Sequence, residues 1–287
     1  MTEPTRDVED AEIEVDRLTQ HYGSRPVLEE VSLTVRRGEC VAVLGPNASG
    51  KTTLLETIGG LLHPMGGEVR IGGLVRRRTV DEELAIRNRC VYLPVDAWMP
   101  AGMTVRDFLI GVGRLYEMPF DDDGDGLFAR VEAVADLFHL SAVLDSPGSA
   151  LSTGQGRKVQ LAAALLPQSP TLVLDEPFSG GLDPAGIVAL KSVLRHLTRD
   201  EGRTALFSIP VPELLDGLAD RVIVLQGTGI GLDATPAEIM ARSGRDTLGE
   251  ALTDVAFGDA GESVARYFAR TDGERADGGR VDTEQPR

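Results

Sequence analysis

Apolar residues recur along this chain in two spacings, which predict two kinds of secondary structure. Short apolar runs rich in β-branched residues predict strands in VSLTV, CVAVLG, CVYL, TLVLDEP, TALFSI and RVIVLQG. Apolar residues three and four positions apart predict helices in VRDFLIGVGRLYEM, LFARVEAVADLFHL, GRKVQLAAALL and AGIVALKSVLRHLTRD. Because strands and helices alternate from about residue 41 to residue 224, we expect an α/β fold with a largely parallel sheet covered on both faces.

Both ends of the chain lack this pattern. Residues 1–11 and the stretch TDGERADGGRVDTEQPR are polar, charged and almost free of large apolar side chains, which predicts disorder. We therefore predict a disordered tail at 1–11, one folded domain at 12–242 and a partly disordered C-terminal extension at 243–287. Within the extension ALTDVAF and VARYFAR are candidates for short helices, and the sequence leaves open whether they dock on the domain or on a partner.

Composition narrows the class of protein. With 287 residues, 42% of them hydrophobic, the chain can bury a sizeable core. The net charge of −16 argues against a nucleic-acid partner, because phosphate contact needs clustered Lys and Arg. Apolar stretches such as LAAALLP are too short to span a bilayer, and MTEPTRDVED does not have the pattern of a signal peptide, so we predict a cytoplasmic protein. Cys40 and Cys90 have no CxxC spacing and are expected to be buried, reduced thiols.

One glycine-rich loop carries a phosphate-binding pattern. GPNASGKT, from Gly45 to Thr52, fits G-x4-G-K-[ST] and lies between a predicted strand and a predicted helix. In that setting backbone N–H groups surround the β-phosphate of a nucleotide, Lys51 bridges β and γ oxygens, and Thr52 is a ligand of Mg²⁺. The alternative is an ordinary glycine turn with a solvated lysine. The predicted nucleotide-binding residues here are Gly45, Pro46, Asn47, Ala48, Ser49, Gly50, Lys51, Thr52 and Thr53.

A second pattern for nucleotide chemistry lies downstream, where the apolar strand TLVLDEP ends in two acidic residues. The carboxyl ends of parallel strands meet at one edge of a sheet, so these residues are expected beside the phosphate loop. We predict that Asp175 holds the Mg²⁺ water shell and that Glu176 is the catalytic residue that polarises the attacking water.

LSTGQ, from Leu151 to Gln155, resembles the LSGGQ signature of the ATP-binding cassette (ABC) family, and it lies between the two motifs above. The resemblance implies a P-loop NTPase of ABC type, with a mostly parallel core, an N-terminal antiparallel β subdomain and a helical subdomain inserted at about 97–165. It also implies that Ser152, Gly154 and Gln155 bind the γ-phosphate of an ATP held by the opposite subunit. An ordinary helix cap by Ser152 is the alternative.

Two further residues acquire roles from the resemblance. Tyr22, in LTQHYGSRPVL, matches the aromatic residue that stacks on adenine, with a packing tyrosine as the alternative. Asp183, in SGGLDP, matches the aspartate of a loop that contacts the partner subunit.

Three positions depart from the family's pattern. Val95 stands where the resemblance implies a glutamine that contacts the metal's water and couples the site to the membrane subunit. Pro210, in ALFSIPVP, stands where it implies a histidine for the γ-phosphate, and proline has neither a side-chain donor nor a backbone N–H. Thr153 replaces a signature glycine. Because losing one preorganised donor typically costs about 10²–10³ in rate, we expect ATP binding to survive better than hydrolysis.

The resemblance implies an ABC-type ATPase, the ATP-binding subunit of a transporter. Such a subunit binds Mg-ATP in a head-to-tail dimer and drives transport through separate transmembrane permease subunits, at the inner face of the cell membrane. An alternative is a soluble ATP-gated interaction or regulatory protein with little turnover. The substrate and its direction of transport are not readable from the sequence, nor is whether the dimer partner is identical or a more complete cassette subunit.

One acidic stretch fits another motif. DDDGDGLFARVE, from Asp121 to Glu132, satisfies the EF-hand string D-x-D-x-D-G-x5-E for Ca²⁺. Pro119 interrupts the incoming helix, however, and Glu132 falls within a predicted helix, so a solvated acidic loop is the favoured interpretation.

Overall fold

The computed structural model describes residues 10–96, 98–119 and 126–257. Its smaller sheet has four antiparallel strands in the order β2-β1-β4-β5. These strands are β1 (Ala11–Tyr22), β2 (Arg25–Arg36), β4 (Gly66–Ile71) and β5 (Leu74–Val75).

The larger sheet has six strands in the order β10-β9-β3-β8-β7-β6. The five strands from β9 to β6 run parallel, and β10 pairs antiparallel with β9 at the edge. They are β3 (Cys40–Leu44), β6 (Cys90–Leu93), β7 (Thr171–Leu174), β8 (Thr204–Ser208), β9 (Arg221–Gln226) and β10 (Gly229–Ala234).

Helices connect these strands. They are α1 (Lys51–Gly59), α2 (Val80–Arg89), α3 (Val105–Leu115), α4 (Leu127–Leu137), α5 (Thr153–Leu165), α6 (Pro184–Arg199), α7 (Pro236–Ser243) and α8 (Leu248–Phe257). Of these, α3, α4 and α5 are the ones described between β6 and β7. The predicted architecture, a mostly parallel sheet with helices and a separate antiparallel β subdomain, is confirmed.

Side chains of the central strands alternate between two hydrophobic clusters, because successive residues of a strand point to opposite faces. On β3, Ala42 and Leu44 face the cluster that α3, α4, α5 and α6 cover. Val41 and Val43 face the other cluster, which α1 and the antiparallel sheet cover. Burial on both faces explains why these strands read as continuous apolar runs. Cys40 and Cys90 are buried free thiols, as predicted.

Strand register brings three loops to one edge of the sheet. Val43 of β3 pairs with Ser208 of β8, and Leu174 of β7 pairs with Phe207 of β8. Because β8 lies between β3 and β7, the chain leaving β8 emerges between the phosphate loop and the acidic residues after β7.

The two ends of the described chain differ in part from the sequence predictions. Asp10 accepts a backbone hydrogen bond from Arg37 and Ala11 begins β1, so the predicted tail at 1–11 extends two residues too far. Residues 1–9 lie outside the described residues. ALTDVAF belongs to α8, which packs on the 3₁₀ turn Pro212–Leu215 and on β9, whereas VARYFAR lies outside the described residues.

Within the described ranges, no helix is both long and apolar enough to cross a bilayer.

Candidate active site

The loop between β3 and α1 has the strained backbone of a phosphate cradle. Gly50, which precedes α1, has φ +96°, and a Cβ there would lie 2.8 Å from Leu28 Cδ2. Ala48 has φ +63°, a left-handed conformation that costs a residue with a Cβ about 1–2 kcal/mol. Such strain persists where the surrounding structure fixes the backbone and often marks a ligand site.

Lys51 is buried beneath this loop. Its Nζ donates to the carbonyl oxygens of Gly45 at 2.8 Å and Pro46 at 2.9 Å, which uses two of its three N–H donors. Burial lowers the pKa of the Lys51 ammonium, while the negative charges of Glu176 and Asp175 oppose that shift. The cation therefore lies in a position where two carboxylates and any bound phosphate favour its charged form.

Asp175 lies directly after β7 and is fully buried. Its backbone N–H donates to Leu93 at 2.8 Å, and its Oδ1 accepts a hydrogen bond from the Ser208 hydroxyl. Its Oδ2 is buried and has no hydrogen-bond partner among the residues that the structure describes, as is also the case for Ser49 Oγ.

Glu176 follows in a constrained conformation with φ +44°. Its backbone N–H donates to Ser208 Oγ at 2.8 Å, and its Oε2 accepts from Ser179 Oγ at 3.2 Å. A contact from the end of β8 thus fixes the backbone of the predicted catalytic residue, and a contact within its own loop fixes the carboxylate.

A cavity of about 420 Å³ joins these elements, a volume in the ordinary range for a small-ligand site. Tyr22, at the end of β1, is about half exposed beside it. The cavity is lined by Tyr22, Arg25, Val27, Asn47, Ala48, Gly50, Lys51, Thr52, Thr53 and Glu176. The structure therefore brings the predicted adenine-stacking residue, the phosphate loop and the predicted catalytic acid to one site.

These residues fit ATP with Mg²⁺. A buried carboxylate oxygen without a donor is costly, and hard divalent cations prefer oxygen ligands and retained water. Asp175 Oδ2 is such an oxygen, and the exposed Thr52 lines the adjoining cavity. A buried ammonium and the start of α1 supply positive charge for phosphate.

The residues of the LSTGQ signature lie at the start of α5, away from the cavity around Lys51. Ser152 caps α5, since its side chain accepts from the Gln155 backbone N–H at 3.2 Å and its own N–H donates to Gln155 Oε1 at 2.9 Å. Neither they nor Gly154 line the cavity around Lys51. The helix-cap interpretation is thus correct as local geometry, and the signature's role toward a second subunit stays a prediction.

The start of α5 also contacts the loop before α6. A Cβ on Gly154 would lie 2.6 Å from the carbonyl oxygen of Gly181, so only glycine allows this approach. Lys158 Nζ contacts Asp183 Oδ2 at 2.8 Å, and Asp183 Oδ1 accepts from the Gly186 backbone N–H at 2.7 Å. Asp183 therefore holds the loop before α6 to α5, the helix that begins at the LSTGQ signature, within the same chain.

Two of the positions that depart from the family's pattern, Pro210 and Val95, follow strands β8 and β6 of the large sheet. Pro210 follows Ile209, which extends β8 by donating to Val43 at 3.0 Å, at the edge between the phosphate loop and Glu176. No histidine of the described residues lines the cavity. Val95 is about one-third exposed, and its carbonyl accepts from Arg157 at 3.2 Å.

The calcium motif has little support in the part of the chain that is described. Residues 121–125 lie outside it, and Glu132 lies on α4, where it pairs with Arg106. Across residues 10–96, 98–119 and 126–257, no three His, Cys, Asp or Glu side chains cluster as a metal site would require.

Sequence analysis missed Ser208 and Arg157, which contact the backbone or carboxylate of the two acidic residues. A signal for Ser208 was present, since it is the polar last residue of the otherwise apolar strand TALFS. For Arg157 no local signal exists, because its main-chain partners follow β6 and β7, which are distant from it in sequence or lie beyond the end of α5.

Comparison with known proteins agrees with this geometry. A family model described as ABC transporter matches residues 28–179. A probable ABC transporter ATP-binding protein of Azorhizobium caulinodans is 32% identical over 231 residues, covering 78% of this chain and 77% of the relative. The lipopolysaccharide export system ATP-binding protein LptB of Escherichia coli K12 is 32% identical over 238 residues, covering 80% and 93%. The solved ATP-binding subunit of an ABC transporter matches with a TM-score of 0.74 and 28% identity, covering 85% and 98%.

These similarities do not favour the alternative of a soluble ATP-gated interaction or regulatory protein with little turnover. ATP-binding subunits of this kind bind ATP. The chain belongs to the ABC transporter family and is an ATP-binding subunit with ABC-type ATPase activity that powers transport.

Proposed function

We propose that this subunit binds Mg-ATP between Tyr22 and the phosphate loop and hydrolyses it slowly with Glu176. The observation that carries the proposal is one cavity lined by Tyr22, Lys51, Thr52 and Glu176, beside the unpartnered buried oxygen of Asp175.

Each residue has a distinct role in this proposal. The ring of Tyr22 stacks on adenine, and Lys51 with the loop amides binds the β- and γ-phosphates. Thr52 and Asp175 would hold Mg²⁺, which when bound neutralises charge on the phosphate oxygens. Glu176 accepts a hydrogen bond from the attacking water and orients it toward the γ-phosphate. These roles need a carboxylate fixed in place, which the contacts from Ser208 and Ser179 support.

The partner of the site is a second cassette subunit in a head-to-tail dimer. Ser152, Gly154 and Gln155 form the capped N-terminus of α5, a place where N–H groups favour an anion. Because they do not line the chain's own cavity, we propose that they bind the γ-phosphate of ATP held by the partner. The partner is then a more complete cassette, and the dimer acts on transmembrane permease subunits at the inner face of the cell membrane.

Slow turnover follows from the loss of donors. Pro210 supplies no hydrogen bond to developing phosphate charge, and Val95 has no polar side-chain atom. Lys51, Thr52 and Asp175 remain in place for binding. Affinity for ATP is therefore retained while the rate falls.

The test is ATP affinity and steady-state turnover of the purified chain with and without Mg²⁺. We expect Mg-dependent binding with turnover well below about 1 s⁻¹, the slow end for phosphoryl-transfer enzymes. Lys51→Ala should abolish binding, and Glu176→Gln should keep binding but reduce turnover to a small residual rate. Lys191→Ala, on α6, is the matched control and should leave both unchanged. Binding that survives Lys51→Ala would contradict the proposal.

A further inference from the structure

Arg157, on the first turns of α5, joins two loops that follow different strands. Only 4% of its surface is exposed. Its Nη1 donates to the carbonyl oxygens of Pro94 at 3.3 Å and Val95 at 3.2 Å, directly after β6. Its Nη2 donates to those of Asp175 at 3.1 Å and Glu176 at 2.8 Å, directly after β7. One planar group therefore sets the distance between both loops.

The partners of this guanidinium are unusual for a buried cation. Besides the four main-chain oxygens it donates to Gln160 Oε1 at 3.1 Å, and its Nε has no hydrogen-bond partner in the described part of the chain. Burial lowers the pKa of Arg157, and the charges of Asp175, Glu176 and Asp96 oppose that shift. An apolar side chain would fill such a position without the desolvation cost. The position therefore uses the forked geometry of arginine, which spans several acceptors at once.

The contact with Glu176 restrains a backbone that is not relaxed. A non-glycine residue with positive φ, such as Glu176 with φ +44°, is strained and keeps this conformation only where its surroundings over-determine it. The backbone N–H of Glu176 donates to Ser208 Oγ. The carbonyl oxygen of Glu176 accepts from Arg157 and from the backbone N–H of Ser179 at 3.0 Å. Removing Arg157 would free one side of this arrangement and let the carboxylate move in the cavity.

We propose that Arg157 is a positioning residue for the ATPase reaction: through main-chain oxygens it fixes the backbone of Glu176 and ties it to the loop at Pro94 and Val95. The inference rests on the proposed role of Glu176. The guanidinium does not line the cavity itself, so it acts on the carboxylate and not on ATP.

A matched control exists in Arg203. It is also buried, 8% exposed, and also donates to main-chain oxygens, those of Ser169 at 2.9 Å and Pro167 at 3.2 Å. Neither of those residues lines the cavity around Lys51. Arg203→Met thus removes a buried guanidinium bound to carbonyls without touching the loops after β6 and β7.

The first test is amide hydrogen exchange of the nucleotide-free protein. Arg157→Met should raise exchange together in peptides that cover residues 93–96 and 175–179, about tenfold or more, whereas Arg203→Met should leave both peptides unchanged. Arg157→Lys, which keeps the charge but loses the fork, should give a smaller increase and is the variant to use if Arg157→Met does not fold. Unchanged exchange in either peptide for a folded Arg157 variant overturns the inference.

The second test separates positioning from binding. Arg157→Met should lower kcat on the order of 10- to 100-fold, the effect of a misplaced catalytic group, with the ATP dissociation constant changed less than about twofold. In a Glu176→Gln background the same substitution should have no further effect on the residual single-turnover rate. Equal rate losses in both backgrounds, or a parallel loss of ATP affinity, overturn the inference.

Failure of the proposed function would give a different set of experimental results. If the unmodified protein fails to bind Mg-ATP, the proposed site is wrong, and hydrogen exchange still decides whether Arg157 restrains the two loops. If the protein binds and turns over ATP while Arg157→Met keeps the full kcat, the site stands and the positioning role is wrong.

Discussion

The hydroxyl of Ser208 donates to Oδ1 of Asp175, and Ser208 Oγ accepts from the backbone N–H of Glu176 at 2.8 Å. One side chain at the end of β8 therefore orients both acidic residues at the end of β7. Because Oδ1 is engaged, the other carboxylate oxygen of Asp175 is the one left without a partner among the described residues.

Ser208→Ala should impair both acids. A buried acceptor and a buried donor each lose their partner, which costs about 1–3 kcal/mol of unfolding free energy per group. We also expect kcat to fall about tenfold or more as Glu176 is released, with a smaller change in ATP affinity. Chemical denaturation and steady-state ATPase assays measure the two effects.

The matched control is Ser169→Ala, which removes a buried hydroxyl that donates to Asn88 at 3.1 Å outside the cavity. It should lower stability and leave turnover unchanged. Equal turnover losses in both variants would show that Ser208 has no specific role at the site.

Pro210→His should raise turnover. The imidazole would add a hydrogen-bond donor at the edge between the phosphate loop and Glu176, and one such donor is worth about 10²–10³ in rate. We expect at least a tenfold increase in kcat with Mg-ATP, measured by phosphate release.

Val211→His is the control for this change, because Val211 is the exposed neighbour of Pro210. It adds the same imidazole one residue away and should leave kcat unchanged. If neither histidine raises turnover, Pro210 does not limit hydrolysis.

Gly154→Ala and Gly156→Ala should differ although both lie in the first turn of α5. A Cβ at residue 154 would clash with Gly181 O at 2.6 Å, whereas a Cβ at residue 156 meets nothing within 4 Å. Gly154→Ala should displace the signature helix and weaken ATP-dependent dimerisation, measured by light scattering with the Glu176→Gln variant.

Gly156→Ala should instead stabilise the protein by about 0.5–1 kcal/mol, the usual gain for alanine over glycine in a helix. Its ATP-dependent dimerisation should match that of the parent. Loss of dimerisation in this variant would assign the effect to helix propensity and not to the Gly181 contact.

Leu252→Ala should destabilise the whole domain and not only the C-terminal helix. Leu252 is fully buried in the cluster that also contains Leu215 and Val224. Creating a cavity there typically costs about 2–5 kcal/mol. Thermal unfolding should remain a single transition at lower temperature.

Glu250→Ala, exposed on the same helix, is the control and should change stability little. If Leu252→Ala gave a separate transition at lower temperature while the main unfolding transition stayed unchanged, α8 would unfold independently of the domain.

The sequence by itself determined the elements and the chemistry that local patterns encode. GPNASGKT and TLVLDEP identify a phosphate loop and its acidic strand, because a strand, a tight turn and a helix start depend on neighbouring residues. The alternation of buried strands with amphipathic helices was enough for the parallel sheet, since each strand is buried on both faces.

Tertiary structure decided what depends on register and distance. Ser208 reaches Asp175 only because β8 pairs beside β7, and Arg157 reaches Glu176 only because α5 packs across the ends of β6 and β7. The docking of α8 on the turn at Pro212–Leu215 likewise joins segments separated in the chain. A local pattern cannot encode such contacts, because hydrogen bonds between distant segments form only once the whole sheet has fixed their separation.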